Sequence, residues 1–502
     1  MKKGKVWLLV GVLFSLVCAS SSGTERRFFR ITCVEGGAPE NLTITSDEFG
    51  QIFLEFDTQD QRSYLIEATD SLSPSPAWTG VSVIVGDGQR ATWLTTRRWS
   101  RTFGGTAFDE AFSVQQTSDG GYIVAGDTGS FGAGGPEVYL IKTDQNGSQL
   151  WTKTFGRSNY DYGYSVQQTS DGGYIVAGVT FSYGAGNVYL IKTDADGNEV
   201  WSKTFGGSDA DYAYSVRQTS DGGYIVAGLT DSFGAGSGDV YLIKTDPNGN
   251  EVWTRTFGGD DDDTARCVQQ TSDGGYIVAA STKSFGAGGW DAYLIKTNKS
   301  GNEVWSRTFG GSESDQVRSV QQTSDGGYIV AASTKSFGAG GYDVYLIKTD
   351  AVGNEVWSRA FGGGNWDMAV SIQQTSDGGY IVAGYTSSFG AGQRDVYLIK
   401  TDAVGNEVWS RTLGGSEEDI ACCVQETSDG GYIVAGYTTS FGAGDWDVYL
   451  IKTDRNGNAP PPEPTLISVV VSGPGEVKER PTRTPLRTTP LRRTGMMAQR
   501  KM

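Results

Sequence analysis

The ten residues TSDGGYIVAG at 427–436 recur almost unchanged at 117–126, 169–178, 219–228, 271–280, 323–332 and 375–384. A tryptophan keeps step with them: Trp99, Trp151, Trp201, Trp253, Trp305, Trp357 and Trp409 stand 52, 50, 52, 52, 52 and 52 residues apart. A unit of about 50 residues is too small to bury a core alone, so successive copies must cover one another.

One copy reads clearly from 371 to 413. SIQQ runs into the glycine-rich turn TSDGG, YIVAGYT follows, SSFGAGQR is a loop, DVYLIKTD comes next, AVGN is a tight turn, and EVWSRTL ends the unit. Asp-Gly and Gly-Asn supply the positive φ that hairpin turns need. The copy is therefore expected to be four antiparallel strands. Its two middle strands are apolar on both faces, so the sheet must be covered on both sides. A ring of such sheets satisfies every face, which predicts an all-β, seven-bladed β-propeller over 97–458.

The ends of the array carry a second prediction. A lone fourth strand, RRWSRTFGG, opens it at 97–105, and the last copy stops after DVYLIKTDRNGN at 447–458. The Trp99 strand is expected to complete the last blade and shut the ring. Each Trp is followed two residues later by Lys or Arg, which on an outermost strand discourages pairing between molecules.

The order S-V-Q-Q-T, D-G-G-Y-I-V-A-G, D-V-Y-L-I-K-T-D and G-N-E-V-W resembles the kelch-type blade. It is closer to the repeat of secreted bacterial and archaeal β-propeller proteins, often termed SBBP-like. The resemblance covers 97–458 and implies the propeller fold; it implies little about activity, because propellers host many functions.

The flanks differ. A basic start followed by an apolar run from Val6 to Val17 reads as a secretory signal peptide over 1–22, with acylation at Cys18 as the lipoprotein alternative. Residues 24–96 read as a small β-sandwich-like domain, and YLIEATDSLSPSPAW resembles a fibronectin-type accessory module. APPPEPT at 459–465 is a stiff linker. Residues 466–502 begin like an Ig-like strand and end in a basic, core-less tail, as in a truncated or frame-shifted product.

Composition removes several functions. No histidine occurs among the 502 residues, which excludes Ser-His-Asp and Cys-His catalysis and His-ligated zinc. A net charge of −17 argues against nucleic acid as a partner. No Cys pair has metal-binding spacing, and Cys267 and Cys423 occupy a position that is Ser in other copies.

Variation between copies points to a binding face. The loops between strands 2 and 3 and those between strands 4 and 1 share one end of the blades and differ from copy to copy, whereas the SDGG and GN turns at the other end hardly change. Trp290, Trp366, Trp446, Tyr160 and Tyr342 are the candidate ligand-binding aromatics, suited to stacking on sugar rings beside acids. Asp109, Asp161, Asp211, Asp263, Asp315, Asp367 and Asp419 each stand ten residues after the Trp of the copy. They read as loop-fixing carboxylates accepting backbone N–H groups, with a calcium-holding ring as the alternative. No cofactor is expected unless those carboxylates hold calcium. DADGNE at 194–199 reads as a hairpin turn, since an EF-hand would need Glu where Phe205 stands.

The expected function is a secreted or cell-surface, non-enzymatic, monomeric propeller that binds an extracellular glycan or protein, with no membrane span. Two alternatives remain. One is a glycoside hydrolase or lyase using carboxylate pairs such as Asp261/Asp263 or Glu417/Asp419. The other is a structural surface or adhesin module.

Overall fold

The computed structural model describes residues 98–462 apart from Ser158, together with the backbone of eight strands between Trp7 and Leu94. Seven four-stranded antiparallel sheets occupy 99–453. In the fourth copy the strands are Asp263–Gln270, Tyr276–Thr282, Asp291–Thr297 and Glu303–Phe309, and the others repeat this order. We number the blades from Asp109 and the strands of each from the axis outward.

The closure is as expected. Trp99–Phe103 pairs antiparallel with Asp447–Thr453, Val448 opposite Phe103 and Lys452 opposite Trp99. The register repeats that of a continuous blade, where Val138 faces Phe155 and Lys142 faces Trp151. Beyond this seam, Ser100 Oγ donates to the carbonyl of Pro460 at 2.6 Å, so the start of the Pro-rich linker lies along the closing strand.

Side chains of the two middle strands fill the spaces between blades. Ile175, Ala177, Val188 and Leu190 of blade 2 meet Ala213, Val216, Tyr224 and Val226 of blade 3. At the seam, Ile433, Ala435, Val448 and Leu450 meet Ala111, Val114, Tyr122 and Val124, with Trp99 among them. Each such Ile or Leu, fully buried, contributes roughly 1.5–3 kcal/mol. The repeated Trp seals the outer edge. Trp253 sits edge-on to Tyr276 of the next blade at 5.9 Å, and Trp99 does the same to Tyr122 at 5.7 Å. The Trp ring also covers a turn glycine of the next blade: a Cβ on Gly301, at φ 76°, would meet Trp253 at 2.6 Å. The Arg two residues on folds back over the indole, as Arg255 does over Trp253 at 5.4 Å, so this cation shields the Trp as well as the edge.

The repeated TSDGG turn has its own reason. Asp273 Oδ1 accepts from Thr271 Oγ1 and from the N–H of Gly275, and its carboxylate pairs with Lys296 of strand 3 at 2.9 Å. Lys296 Nζ also donates to the carbonyl of Thr297. Gly275 lies against that carbonyl, which leaves no room for a side chain. Against the opposing effect of burial, the hydrogen bonds from Thr271, Lys296 and the Gly275 N–H, with the charge of Lys296 added, hold Asp273 down to about 2. Every blade repeats the pair, which accounts for the near-invariance of this end.

Before the propeller, Arg26–Cys33, Ser63–Thr69 and Thr79–Val85 belong to a five-stranded sheet, and Glu40–Ser46, Ile52–Asp57 and Arg90–Leu94 form a three-stranded one. The first sheet is extended by Trp7–Leu9 and Ser15–Ala19, inside the segment read as a leader. The expectations for 466–502 lie outside the described residues. Among the described residues no helix is long and apolar enough to cross a membrane.

Candidate functional site: the variable face and the axial collar

First strands begin earlier than their sequence suggests. Each starts at the repeated Asp, so that residue lies at the entry to the innermost strand rather than within the loop. All seven of these Asp residues are fully buried. Asp263 Oδ2 accepts from the N–H of Gly259 at 2.9 Å and from Ser284 Oγ at 2.7 Å, tying the 4–1 loop to the 2–3 loop of its own blade. Asp211, Asp315, Asp367 and Asp419 repeat both bonds, and Asp109 and Asp161 have the same pair of donors in Gly105 with Ser130 and Arg157 with Ser182. Thr128, Thr386 and Thr438 add a hydroxyl to Asp109, Asp367 and Asp419. The Asp N–H reaches across to the preceding blade, as in Asp315 to the carbonyl of Trp290. One residue thus binds two loops and two blades. Among the described residues no group of three Cys, Asp or Glu side chains is disposed to hold a metal ion.

These Asp residues have acidic neighbours. A Cβ on Gly258 would meet Asp239 Oδ1 on one side and Asp263 Oδ2 at 2.7 Å on the other. Burial, aided by Asp263, pushes Asp239 up to about 6. The pairs considered for hydrolysis do not face a shared substrate space. Asp263 and Asp419 are sealed beneath their loops, while Asp261 and Glu417 are exposed. Asp194 accepts from the N–H groups of Asp196 and Asn198 in a hairpin turn.

The five candidate aromatics fall in four places on the variable face. Tyr342 and Trp366, from adjacent blades, meet edge-on at 5.9 Å, with Trp366 48% exposed. Trp446, 37% exposed, stacks on Tyr437 at 5.2 Å. Trp290 is covered by Lys283 at 4.6 Å, whose ammonium also pairs with Asp262. Tyr160 is exposed beside Tyr162 at 6.4 Å. The 2–3 loop of blade 2 is two residues shorter than that of blade 3 (181–186 against 231–238). Beside it a groove of about 520 Å³ opens against blade 3, lined by Phe205, Phe233, Tyr241 and Arg255.

The structure adds a feature that the loop comparison missed. Every first strand bulges at one residue, where pairing with the second strand skips. The skipped residues are Phe112, Tyr164, Tyr214, Arg266, Arg318, Val370 and Cys422. A bulge re-aims its side chain, and these converge around the axis. Phe112 meets Tyr164 at 5.3 Å, Tyr164 meets Tyr214 at 5.3 Å, and the Arg266 guanidinium lies 4.2 Å from the Tyr214 ring centre. Next to this collar lies a cavity of about 210 Å³, lined by residues that follow the bulge in all seven first strands, among them Ser113, Gln115, Arg217 and Cys267. Cys267 and Cys423 hold the serine position there, each Sγ 3.6 Å from a carbonyl of the next blade.

Above the collar on blade 1, Glu110 and Asp127 stand directly opposite each other. Asp127 is 1% exposed and neither carboxylate oxygen has a hydrogen-bond partner. Burial pushes Glu110 up to about 7; burial and the nearby Glu110 and Asp109 push Asp127 up to about 8. Other blades place neutral residues at the matching pair, such as Tyr212 with Leu229.

No protein-family model matches the chain. "Regulatory protein FlaEY" of Caulobacter vibrioides is 27% identical over 241 residues, covering 42% of this chain. The chain spans a quarter (25%) of the length of that curated relative. Among solved structures, the Neurospora crassa Pan2 WD40 domain superposes over 72% of this chain and 97% of that one, at 11% identity and a TM-score of 0.45. A puromycin hydrolase matches over 80% of this chain and 58% of its own, at 14% identity and a TM-score of 0.38. The seven-bladed repeat architecture rests on the strand pairing itself, and it is a fold that fits a binding or interaction module.

Proposed function

We propose that the chain is a secreted or cell-surface member of the SBBP-like propellers that binds a glycan or a protein, without catalysis, on the face formed by the 2–3 and 4–1 loops. One observation carries this reading: the aromatic and charged residues that differ between seven near-identical blades collect at one end of the ring. Trp446 on Tyr437 and Trp366 with Tyr342 offer flat apolar faces beside acids, the chemistry that stacks on sugar rings and accepts hydroxyl protons. The regulatory description of the FlaEY relative is in keeping with an interaction role. Secretion rests on the apolar amino-terminal segment alone. A glycan array and a pull-down from culture supernatant, each run with wild type and with Trp366→Ala and Trp446→Ala, test the proposal. Binding that both variants weaken supports it. Binding that both leave untouched, or that moves with Val200 or Val304 on the outermost strands, refutes the assignment of the face.

A further inference from the structure

The axial collar is chemically lopsided in a way the repeat does not require. Its blade 1–3 side is a continuous aromatic wall, Phe112 to Tyr164 to Tyr214. Its blade 4–5 side is two guanidiniums on adjacent strands. Arg266 packs on the face of Tyr214. Arg318, half-buried beside Arg266, makes no hydrogen bond and no ion pair. Burial and the neighbouring guanidinium both act to lower its affinity for a proton. In a chain with 58 acidic residues, two neighbouring cations without a carboxylate between them lack a counter-charge where one would be easy to supply.

We propose that Arg266 and Arg318 hold the oxyanion of a small ligand whose aromatic body lies against Tyr214 and Tyr164 in the mouth of the ring. Guanidinium donors suit a carboxylate or a phosphate, since either accepts two parallel N–H bonds. The ligand carries one anionic group on a compact body. The net charge of −17 repels polyanions, and the aromatic wall has no charge for a second group to meet. The inference rests on the variable face being the ligand face, because the collar opens on that side of the channel.

Titration calorimetry on the full chain tests it with four probes: 4-hydroxyphenylacetate, phenyl phosphate, inorganic phosphate and the uncharged 4-hydroxyphenylacetamide. The two aryl oxyanions should bind at least tenfold more tightly than the amide, and whichever is tighter identifies the class. Arg318→Gln and Arg266→Gln should each weaken that binding at least tenfold, while Arg318→Lys retains most of it. Arg318→Gln should also melt at or above wild type, because it removes an uncompensated cation; a purely structural arginine would instead lower the melting temperature. Equal binding of acid and amide, unchanged affinity in both Gln variants, or no binding of any probe at millimolar concentration overturns the proposal. Inorganic phosphate binding as tightly as phenyl phosphate overturns the aromatic half of it. Loss of probe binding in Arg318→Gln with the Trp446-dependent binding intact separates the collar from the rim. If instead Trp446→Ala and Trp366→Ala leave macromolecular binding untouched while the collar still takes aryl oxyanions, the rim reading alone falls.

Discussion

Replacing Trp99 by Ala tests ring closure quantitatively. Trp99 is 6% exposed, whereas the six equivalent residues are only partly buried. Its indole lies between Tyr122, at 5.7 Å, and the turn at Gly147, and its Nε1–H donates to the carbonyl of Gln145 at 3.3 Å. Truncating a buried Trp costs about 3–5 kcal/mol. The edge-on aromatic pair is part of that loss. The entropy of unfolding, about 2.1 cal/mol/K per residue over roughly 360 residues, is about 0.76 kcal/mol/K, so about 4 kcal/mol lowers the melting point by about 5 °C if the ring melts as one unit. Trp253→Ala, in a covalently continuous blade and with a more exposed indole, should cost about half as much. Its strand also remains tethered at both ends. Urea and thermal melts followed by near-ultraviolet circular dichroism measure both, and limited proteolysis near Asn458 should accelerate in Trp99→Ala alone. The reasoning is refuted if Trp99→Ala costs less than Trp253→Ala, or if cleavage near Asn458 is unchanged.

Three further outcomes are expected. Asp263→Asn should lose about 1–3 kcal/mol in a urea titration, because buried N–H and hydroxyl donors lose a charged acceptor. Millimolar calcium should leave the wild-type melting point in place; a calcium-linked rise that Asp263→Asn abolishes would revive the metal ring. Glu110 and Asp127 have folded-state values raised to about 7 and 8 by burial, so their contribution is fully present below the ordinary carboxylate value near 4 and is lost as pH climbs through 7 to 8. Asp109 faces Asp127 and adds to this direction. Asp127→Asn should therefore match wild type at pH 5 and melt higher at pH 8.5; an equal loss at both pH values contradicts the account. Gly258→Ala should cost roughly 1–3 kcal/mol by wedging a methyl between the carboxylates of Asp239 and Asp263, read as a shifted urea midpoint.

The amino-acid sequence determined the number of blades, the order of strands within each, and the seam. These follow from local signals repeated seven times: Asp-Gly and Gly-Asn turns, apolar middle strands, and a Trp strand displaced to the front of the array. It also determined which end varies, because divergence between copies is visible without coordinates. The role favoured for the repeated Asp was legible too, since a carboxylate four residues after a Gly N–H has an obvious local donor. The tertiary structure alone decided where the first strand begins and that it bulges. A bulge depends on how two strands match, and no turn residue or alternation marks it. The collar was hidden for the same reason. Its residues stand about 50 apart along the chain and become neighbours only when the ring shuts. A signal was present in the third residue after each repeated Asp, which reads Phe, Tyr, Tyr, Arg, Arg, Val and Cys just ahead of a nearly constant S-V-Q-Q. Its meaning required the direction of each side chain, which backbone pairing sets and linear order does not.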